Sequence, residues 1–431
     1  MNPRVLIIAT IPYATNEVSR TLDSYFHFWD SESVAQIFTK NSIPGKGHCA
    51  QLFQITDAEL LKCWLGKGNT TGTIYKYQEL PDMDKIVSSG DSSEFQGAYR
   101  IGRTHTPMVE LLRGLLWRKR FWCTPKLEKW LDEFRPDVIL YNYCNHLFTQ
   151  QIALYVAQRY DIPIITTIAD DYYFNDTKSL SPSYRLFRYC FKRLSDKVLN
   201  WKGSAVYCSD KIRDKYNQRF PLEGKTVYFS TENVRREFRP INIEQPRIVY
   251  CGSIRLGRNF ALCEIADALS AINDSYCIEV YTNEQDKEYY GILEQHQHVR
   301  FGGAIPYSEV QRISIASDIL VVAEGFREED LNFTRYSLST KVADSLASGA
   351  IVLGYGPAES GAIEYLQGTD AAVVCTEKEK LSERLIELIS DTERQKHYYD
   401  NAAKIVNKNH DVASTTASFY RVVDKALKRS E

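Results

Sequence analysis

Residues 335–357 read RYSLSTKVADSLASGAIVLGYGP, a helical segment that runs directly into a short apolar strand. Val342, Leu346 and Ala350 recur at helical spacing, and residues 351–353 are continuously apolar. A helix followed by a buried strand is the repeating unit of a parallel α/β sheet. Just before the helix lies a polar cluster of three hydroxyls and one cation: Ser337, Ser339, Thr340 and Lys341. A helix cap needs one hydroxyl, so the cluster is larger than capping requires.

The same alternation of strand and helix patterns runs through most of the 431 residues. Ten strands are predicted, at residues 5–10, 138–141, 164–168, 205–208, 248–251, 278–282, 299–301, 319–323, 351–354 and 371–375. Ten strands are too many for one compact doubly wound sheet of this kind, which favours two sheets. Segment 30–100 is less regular and is predicted only to elaborate the first sheet.

A domain boundary is predicted within REFRPINIEQPRIVYCG, residues 236–252. Pro240 and Pro246 flank a short polar stretch there, and Arg247 opens a new strand. The predicted fold class is therefore α/β with two Rossmann-like domains. The first comprises residues 1–240, joined by a C-terminal helix at about 412–431, and the second comprises residues 241–411.

Composition is typical of a soluble globular protein, with 44% hydrophobic and 25% charged residues. A formal net charge of −2 gives no overall attraction to nucleic acid, so no nucleic-acid partner is expected. No apolar run approaches the ~18 residues that a transmembrane helix needs. The ten cysteines form no CxxC pair, and no secretory signal is recognised, which predicts reduced thiols and a cytoplasmic location.

Two cationic segments are predicted at the carboxyl edge of the second sheet. The helix N-terminus at Ser339, Thr340 and Lys341 presents unpaired N–H groups, hydroxyls and an ammonium, which suit a phosphate. In YCGSIRLGRNF, Gly252 and Ser253 directly follow a strand, and Arg255 and Arg258 lie in the next loop. Two arginines can clamp a diphosphate by charge-assisted hydrogen bonds. Taken alone, the polar cluster is better explained as a helix cap with surface polarity, and the two arginines as a solvated face. The convergence of the two segments on one crevice favours a diphosphate ligand.

Four motifs of the second half carry a family resemblance: YCGSIRLGR (250–258), VRFGGAIPYSEV (299–310), ASDILVVAEG (316–325) and ADSLASGAIVLGYG (343–356). In order and spacing they resemble the donor domain of GT-B glycosyltransferases of the large retaining class called family 4-like. In the first half, RPDVILYNYCNHL (135–147) and IPIITTIADDYYF (162–174) are similar to that family's strand motifs. The resemblance implies a GT-B architecture, two Rossmann-like domains facing each other across a deep cleft. It also implies a nucleotide-sugar donor as co-substrate, with no other cofactor.

The chain departs from the family pattern in three features. The positions of the family's paired glutamates are occupied by Tyr336 and Asp344, so the resemblance gives Asp344 the ribose contact. It leaves the sugar contact to Glu324 or to the acidic stretch 328–330, for which an exposed loop is the favoured alternative. A usual histidine is replaced by Ala169, whereas the adjacent Asp170 is retained as a candidate catalytic residue. The first βα turn lacks the usual glycine pair, and Asn16 and Arg20 are predicted to lie beneath the acceptor or the donor phosphates.

No metal site is predicted. Asp82 and Asp84 form an isolated DxD that follows no convincing buried strand, and His296 and His298 have no HExxH or CxxC companion. Arginines and helix N–H groups aimed at a leaving diphosphate stabilise its charge without a metal.

Two stretches combine leucines and aromatics with basic residues: VELLRGLLWRKRFW (109–122) and SYRLFRYCFKRL (183–194). Basic amphipathic helices with tryptophan suit an anionic membrane surface, which predicts peripheral binding to the inner face of the cell membrane. Packing of one helix face on the sheet with a solvated basic face is the equally weighted alternative.

The sequence thus predicts a glycosyltransferase that moves a hexosyl group to a saccharide or lipid-linked acceptor in polysaccharide or glycoconjugate biosynthesis. Its candidate catalytic residues are Asp170, Arg255, Arg258 and Lys341. The candidate donor-binding residues are Asn16, Arg20, Gly252, Ser253, Glu324, Ser337, Ser339, Thr340 and Asp344. A sugar-nucleotide epimerase of the same fold and a catalytically silent partner subunit are the alternatives.

Overall fold

The computed structural model describes residues 2–13, 20–68, 71–80, 106–176 and 179–429, and it divides into two compact units. The first unit holds the residues up to Val227 and from Thr416 onward, and the second holds Tyr228–Thr415. The second unit begins before the linker predicted from the prolines because residues 231–239 pack on it. Arg236 N donates to the Ser348 carbonyl at 3.1 Å, and Arg239 forms an ion pair with Asp318 at 3.2 Å.

An eight-stranded sheet forms the first unit, in the order β4-β3-β2-β1-β5-β6-β7-β8. All pairs are parallel except β3 with β4. Its strands are β1 (Val5–Ile8), β2 (Val34–Phe38), β3 (Gln51–Gln54), β4 (Thr73–Lys76), β5 (Val138–Asn142), β6 (Ile164–Ile168), β7 (Ser204–Tyr207) and β8 (Lys225–Thr226). Strands β2, β3 and β4 fall within segment 30–100, which therefore contributes three strands to the first sheet.

Among the described residues, eight helices belong to this unit, and the C-terminal helix, which follows the second unit in sequence, packs on it as a ninth. They are α1 (Arg20–Phe26), α2 (Asp57–Trp64), α3 (Pro107–Leu116), α4 (Lys119–Trp122), α5 (Pro125–Phe134), α6 (Leu147–Tyr160), α7 (Pro182–Leu199), α8 (Asp210–Asn217) and the C-terminal helix Val412–Lys428. From the C-terminal helix, Phe419 stacks on Tyr25 with ring centroids 4.7 Å apart. Val422, Val423 and Ala426 enter the same buried core, which anchors the end of the chain to this unit.

A six-stranded parallel sheet forms the second unit, in the order β11-β10-β9-β12-β13-β14. Its strands are β9 (Ile248–Cys251), β10 (Ile278–Tyr281), β11 (Val299–Gly303), β12 (Ile319–Ala323), β13 (Ile351–Tyr355) and β14 (Val373–Cys375). In sequence order this is 3-2-1-4-5-6, the strand order of a dinucleotide-binding Rossmann sheet. Such a sheet binds ligands where the strand order reverses, and here that position is the carboxyl end of β9 and β12.

The helices of the second unit are α9 (Arg258–Ile272), α10 (Lys287–Glu294), α11 (Tyr307–Ala316), α12 (Glu328–Thr334), α13 (Thr340–Ser348), α14 (Gly361–Thr369), α15 (Leu381–Ser390) and α16 (Thr392–Ile405). The C-terminal helix Val412–Lys428 is α17, and a π-helical turn at Val406–His410 precedes it. No helix among the described residues is long and apolar enough to cross a membrane.

His410 lies fully buried at the π-helical turn. Its Nδ1 donates to the Phe229 carbonyl at 2.7 Å, and its Nε2 accepts from the Tyr365 hydroxyl at 2.9 Å. Burial lowers the pKa of this imidazole, although the Phe229 carbonyl and the charge of Asp344 favour the protonated form. The folded second unit therefore holds His410 neutral.

Stability of the second unit is expected to fall with acidification below about pH 6.5, the ordinary pKa of histidine. The unfolded chain then binds a proton that folded His410 does not, so the free energy of unfolding rises with pH across this window. Urea unfolding of the wild type and of His410→Gln between pH 5 and 8 tests this. The variant should be less stable at pH 8 but show a flatter pH dependence; equal slopes would contradict the assignment.

Candidate functional site

Two loops and one helix terminus meet at the carboxyl edge of the second sheet. Gly252 follows β9, Glu324 follows β12, and α13 begins at Thr340. The loops are in close contact: a Cβ on Gly325 would lie 2.3 Å from the Leu256 carbonyl oxygen. Only glycine permits this approach. Arg258, predicted to lie in the loop, is the first residue of α9, and the approach fixes it beside Glu324 on the other loop.

Lys341 reaches across this edge to Gly252. Gly252 has φ of +143°, and a Cβ there would lie 2.5 Å from Lys341 Nζ and 2.8 Å from its Cδ. The lysine stem therefore occupies the space that any other residue at position 252 would fill. The two positions, 89 residues apart in sequence, form one local structure.

Tyr250 holds the ammonium of Lys341. Lys341 Nζ donates to the Tyr250 hydroxyl at 3.0 Å and lies 4.7 Å from the centroid of its ring. The Tyr250 hydroxyl in turn donates to the Ser253 carbonyl. A cation over an aromatic face is held electrostatically as well as by the hydrogen bond. The sequence predicts Tyr250 only as a residue of the strand 248–251. Its role in holding the Lys341 ammonium is visible only from the position of its ring in the structure.

Arg258 forms an ion pair with Glu324. Its Nη2 and Nε lie 2.7 and 3.0 Å from the same carboxylate oxygen, and both side chains are largely buried. Burial opposes the charged guanidinium, but the negative charge of Glu324, the hydrogen bonds to it and the charge of Asp330 raise the pKa of Arg258 overall. Glu324 was proposed from the sequence as a sugar contact. In the structure it forms an ion pair with Arg258, which is predicted to bind the diphosphate.

Arg255 turns toward the neighbouring loop. Its Nε and Nη2 contact Glu284 at 2.5 and 3.0 Å, and its guanidinium lies 4.6 Å from the Tyr289 ring centroid. The hydrogen bond from Arg255 lowers the pKa of Glu284 to about 2. The structure therefore gives the two arginines different partners, and their shared action on a diphosphate stays a prediction.

The start of α13 bears the opening polar cluster. Ser339 stands at the N-cap position, but its hydroxyl accepts no hydrogen bond from the helix within the described residues. Ser337 instead donates to the Phe333 carbonyl at 3.3 Å, and Thr340 is the first helical residue. The cluster does not serve capping, and Lys341 lies in the first turn of this nine-residue helix.

Asp344 lies one turn further along α13. Its Oδ1 accepts from the Thr231 hydroxyl at 2.8 Å, and its carbonyl accepts from Asn233 Nδ2 at 3.4 Å. Thr231 is itself tied to the His410 carbonyl through its backbone N–H at 3.0 Å. The structure thus places Asp344 against the segment that opens the second unit, and its predicted ribose contact stays a prediction.

The remaining candidates lie in the first unit. Asp170 follows β6 and accepts from the Tyr172 hydroxyl at 3.3 Å. The adjacent Asp171 is buried and pairs with Lys215 at 2.7 Å. Arg20 is the first residue of α1, and Asn16 lies outside the described residues.

The described ranges contain no group of three or more His, Cys, Asp or Glu side chains that could hold a metal ion. Asp82 and Asp84 lie outside those ranges. Within the second unit, the groups gathered at the sheet edge are Gly252, Ser253, Arg258, Glu324 and Lys341, with Tyr250 beneath them. This arrangement offers cations and backbone N–H groups, the chemistry that binds a phosphate.

Two units, each with a predominantly parallel Rossmann-type sheet, together form the GT-B fold of glycosyltransferases, which confirms the resemblance seen in the sequence. Residues 85–229 match the family described as Glycosyltransferase Family 4. This match lies mainly in the first half of the chain, whereas the sequence resemblance rested mainly on the second half. No curated protein sequence matches the chain.

Solved structures of glycosyltransferases share the fold over nearly the whole chain. HepE from Anabaena, in complex with UDP and glucose, is 13% identical with a TM-score of 0.59, covering 98% of this chain and 99% of its own. WaaG, a glycosyltransferase involved in lipopolysaccharide biosynthesis, is 12% identical with a TM-score of 0.55 and 98% coverage of both chains. Sucrose-phosphate synthase from Thermosynechococcus elongatus is 9% identical with a TM-score of 0.62, covering 99% of this chain and 100% of its own.

Proposed function

We propose that the protein is a glycosyltransferase that takes its sugar from a nucleoside-diphosphate donor bound by the second unit. The observation that carries the proposal is the position of Lys341. Its ammonium is fixed against Gly252 and Tyr250 at the end of the sheet where the strand order reverses, on the first turn of α13. A cation in the first turn of a helix opposes the helix dipole, so its placement there favours an anionic ligand.

The chemical step follows from these groups. Departure of the nucleoside diphosphate leaves negative charge on its oxygens as the glycosidic bond breaks. Lys341, Arg258 and the N–H groups at the start of α13 would stabilise that charge without requiring a metal. Asp344 would bind the ribose, and Asp170 is the candidate catalytic carboxylate of the first unit.

Retention of the anomeric configuration and transfer of a hexosyl group are further parts of the proposal, supported by the family resemblance. HepE was solved with UDP and with UDP-glucose, so uridine donors are the first to test here. The acceptor would be a saccharide or a lipid-linked saccharide of polysaccharide or glycoconjugate biosynthesis, since WaaG acts in lipopolysaccharide biosynthesis.

A thermal-shift screen of UDP, ADP and GDP with EDTA present tests donor binding and metal independence together. A ligand that binds only the folded state raises the melting temperature by mass action. Incubation with the matching nucleotide sugar then separates the candidate functions. Release of free sugar supports a transferase, an isomerised nucleotide sugar indicates an epimerase, and neither product indicates a silent subunit. Proton NMR of the glycoside product reports retention or inversion.

Replacement of Gly252 by alanine is expected to weaken nucleoside-diphosphate binding and to destabilise the second unit by about 1–3 kcal/mol, the scale of a residue held in an unfavourable φ region. The new Cβ would overlap the Lys341 side chain, which must move away. Calorimetric titration with UDP and thermal melting measure the two effects.

Gly303→Ala is the matched control. Gly303 also has positive φ, +65°, but a Cβ there meets no atom within 4 Å. This control should lose some stability from backbone strain and keep the wild-type affinity for UDP. Wild-type affinity in Gly252→Ala as well would separate Lys341 from the binding site.

A further inference from the structure

Helices α3 and α7 of the first unit contact each other and leave apolar side chains on their outer faces. Met108, Leu112 and Leu115 follow one another at helical spacing on α3, and each is more than half exposed. Leu186 and Tyr189 of α7 are 53% and 62% exposed. The two stretches that the sequence marked separately, 109–122 and 183–194, are thus neighbours in the fold.

Basic side chains surround these apolar residues. Arg118, Arg120, Arg185 and Arg193 are exposed, and none forms an ion pair with a carboxylate in the part of the chain that the structure describes. By contrast, Arg188 of α7 is buried and pairs with Asp176 at 2.7 Å. The four exposed arginines are therefore uncompensated, whereas the buried one is neutralised.

An open cavity of about 520 Å³ lies on the side of α7 that carries Arg185, Tyr189 and Arg193. Four cations and two carboxylates are among its lining residues, which are Asp176, Tyr184, Arg185, Arg188, Tyr189, Lys192, Arg193 and Asp196. Its excess of positive charge and its tyrosines suit an anionic headgroup beside a hydrocarbon surface.

We propose that this surface, comprising the outer faces of α3 and α7 with Arg118 and Arg120, docks on a bilayer containing anionic phospholipid. Exposed leucines would enter the interface between headgroups and acyl chains, and the arginines would contact lipid phosphates. Charge complementarity selects this occupant, because an apolar patch with an uncompensated basic rim matches a negatively charged bilayer surface. The proposal does not depend on the donor chemistry of the second unit.

Co-sedimentation with phosphatidylglycerol–phosphatidylcholine vesicles tests the proposal. The wild type should pellet with these vesicles, should stay in the supernatant with pure phosphatidylcholine, and should dissociate as salt is raised. Joint replacement of Arg118, Arg120 and Arg185 by glutamate should reduce the partition coefficient at least about tenfold. The matched control replaces Lys287, Arg300 and Lys408, exposed cations of the second unit, by glutamate and should bind normally.

A second variant, Leu112→Ser with Leu115→Ser, tests the apolar part of the surface. Both side chains are exposed, so the melting temperature should stay close to that of the wild type while vesicle binding falls. A wild type that stays in the supernatant with anionic vesicles at low salt would overturn the proposal. So would equal sedimentation of the wild type and the glutamate variant, or loss of binding in the control alone.

Discussion

Lys341→Gln is expected to lower the turnover of the nucleotide-sugar donor at least tenfold, equivalent to about 1.4 kcal/mol of lost transition-state stabilisation. Glutamine keeps most of the stem that lies against Gly252 but removes the charge that faces the leaving diphosphate. Folding should change little. Loss of the hydrogen bond to Tyr250 lowers folding stability by about 1 kcal/mol. Removal of a positive charge from the first turn of α13 raises it by about a few tenths of a kcal/mol. Donor hydrolysis kinetics and thermal melting measure the two quantities.

Tyr250→Phe separates the positioning of the ammonium from its charge. Phenylalanine keeps the ring face over which Lys341 lies but removes the hydroxyl that accepts its hydrogen bond. We expect a smaller loss of turnover than in Lys341→Gln. The matched control is Lys287→Gln, which changes an exposed lysine of the same unit and should keep the wild-type turnover. Normal turnover in Lys341→Gln combined with a melting temperature several degrees lower would make the polar cluster purely structural.

The fold could be predicted from the sequence because buried parallel strands are continuous apolar runs. Ten of the fourteen strands, such as Ile248–Cys251 and Ile319–Ala323, lie within a residue or two of their predicted limits at both ends. Strands β2 and β3 were missed because glutamines interrupt their apolar pattern. Gln36 is nevertheless fully buried, since its amide donates to the Ile11 carbonyl at 2.9 Å and its oxygen accepts from Tyr13 N at 2.6 Å.

The site could be predicted only as a set of positions. Residues that directly follow strands, such as Gly252 and Glu324, are recognisable from the pattern alone. The partner of each charge is not recognisable, because it depends on loops distant in sequence: Arg258 meets Glu324 66 residues later, and Arg255 meets Glu284 29 residues later. Two arginines three positions apart thus received opposite environments, one buried and one half exposed.

Glu324→Gln is expected to destabilise the second unit by about 3 kcal/mol, because it leaves the largely buried Arg258 guanidinium without its carboxylate. Glutamine has nearly the same shape, so packing against Gly356 should be retained. For a unit of this size the loss corresponds to a fall in melting temperature of roughly 6–12 °C. The matched control is Glu309→Gln, which breaks the solvent-exposed Arg312–Glu309 pair on α11 and should hardly change the melting temperature.

The same variant shows whether Arg258 binds the donor. A diphosphate that contacts Arg258 would supply the negative charge that Glu324→Gln removes, so UDP should raise the melting temperature of the variant by more degrees than that of the wild type. An equal increase in both proteins would restrict Arg258 to a structural ion pair and leave Lys341 as the cation that carries the diphosphate. A variant as stable as the wild type without UDP would instead show that Asp330, whose charge also acts on Arg258, is sufficient to compensate the guanidinium.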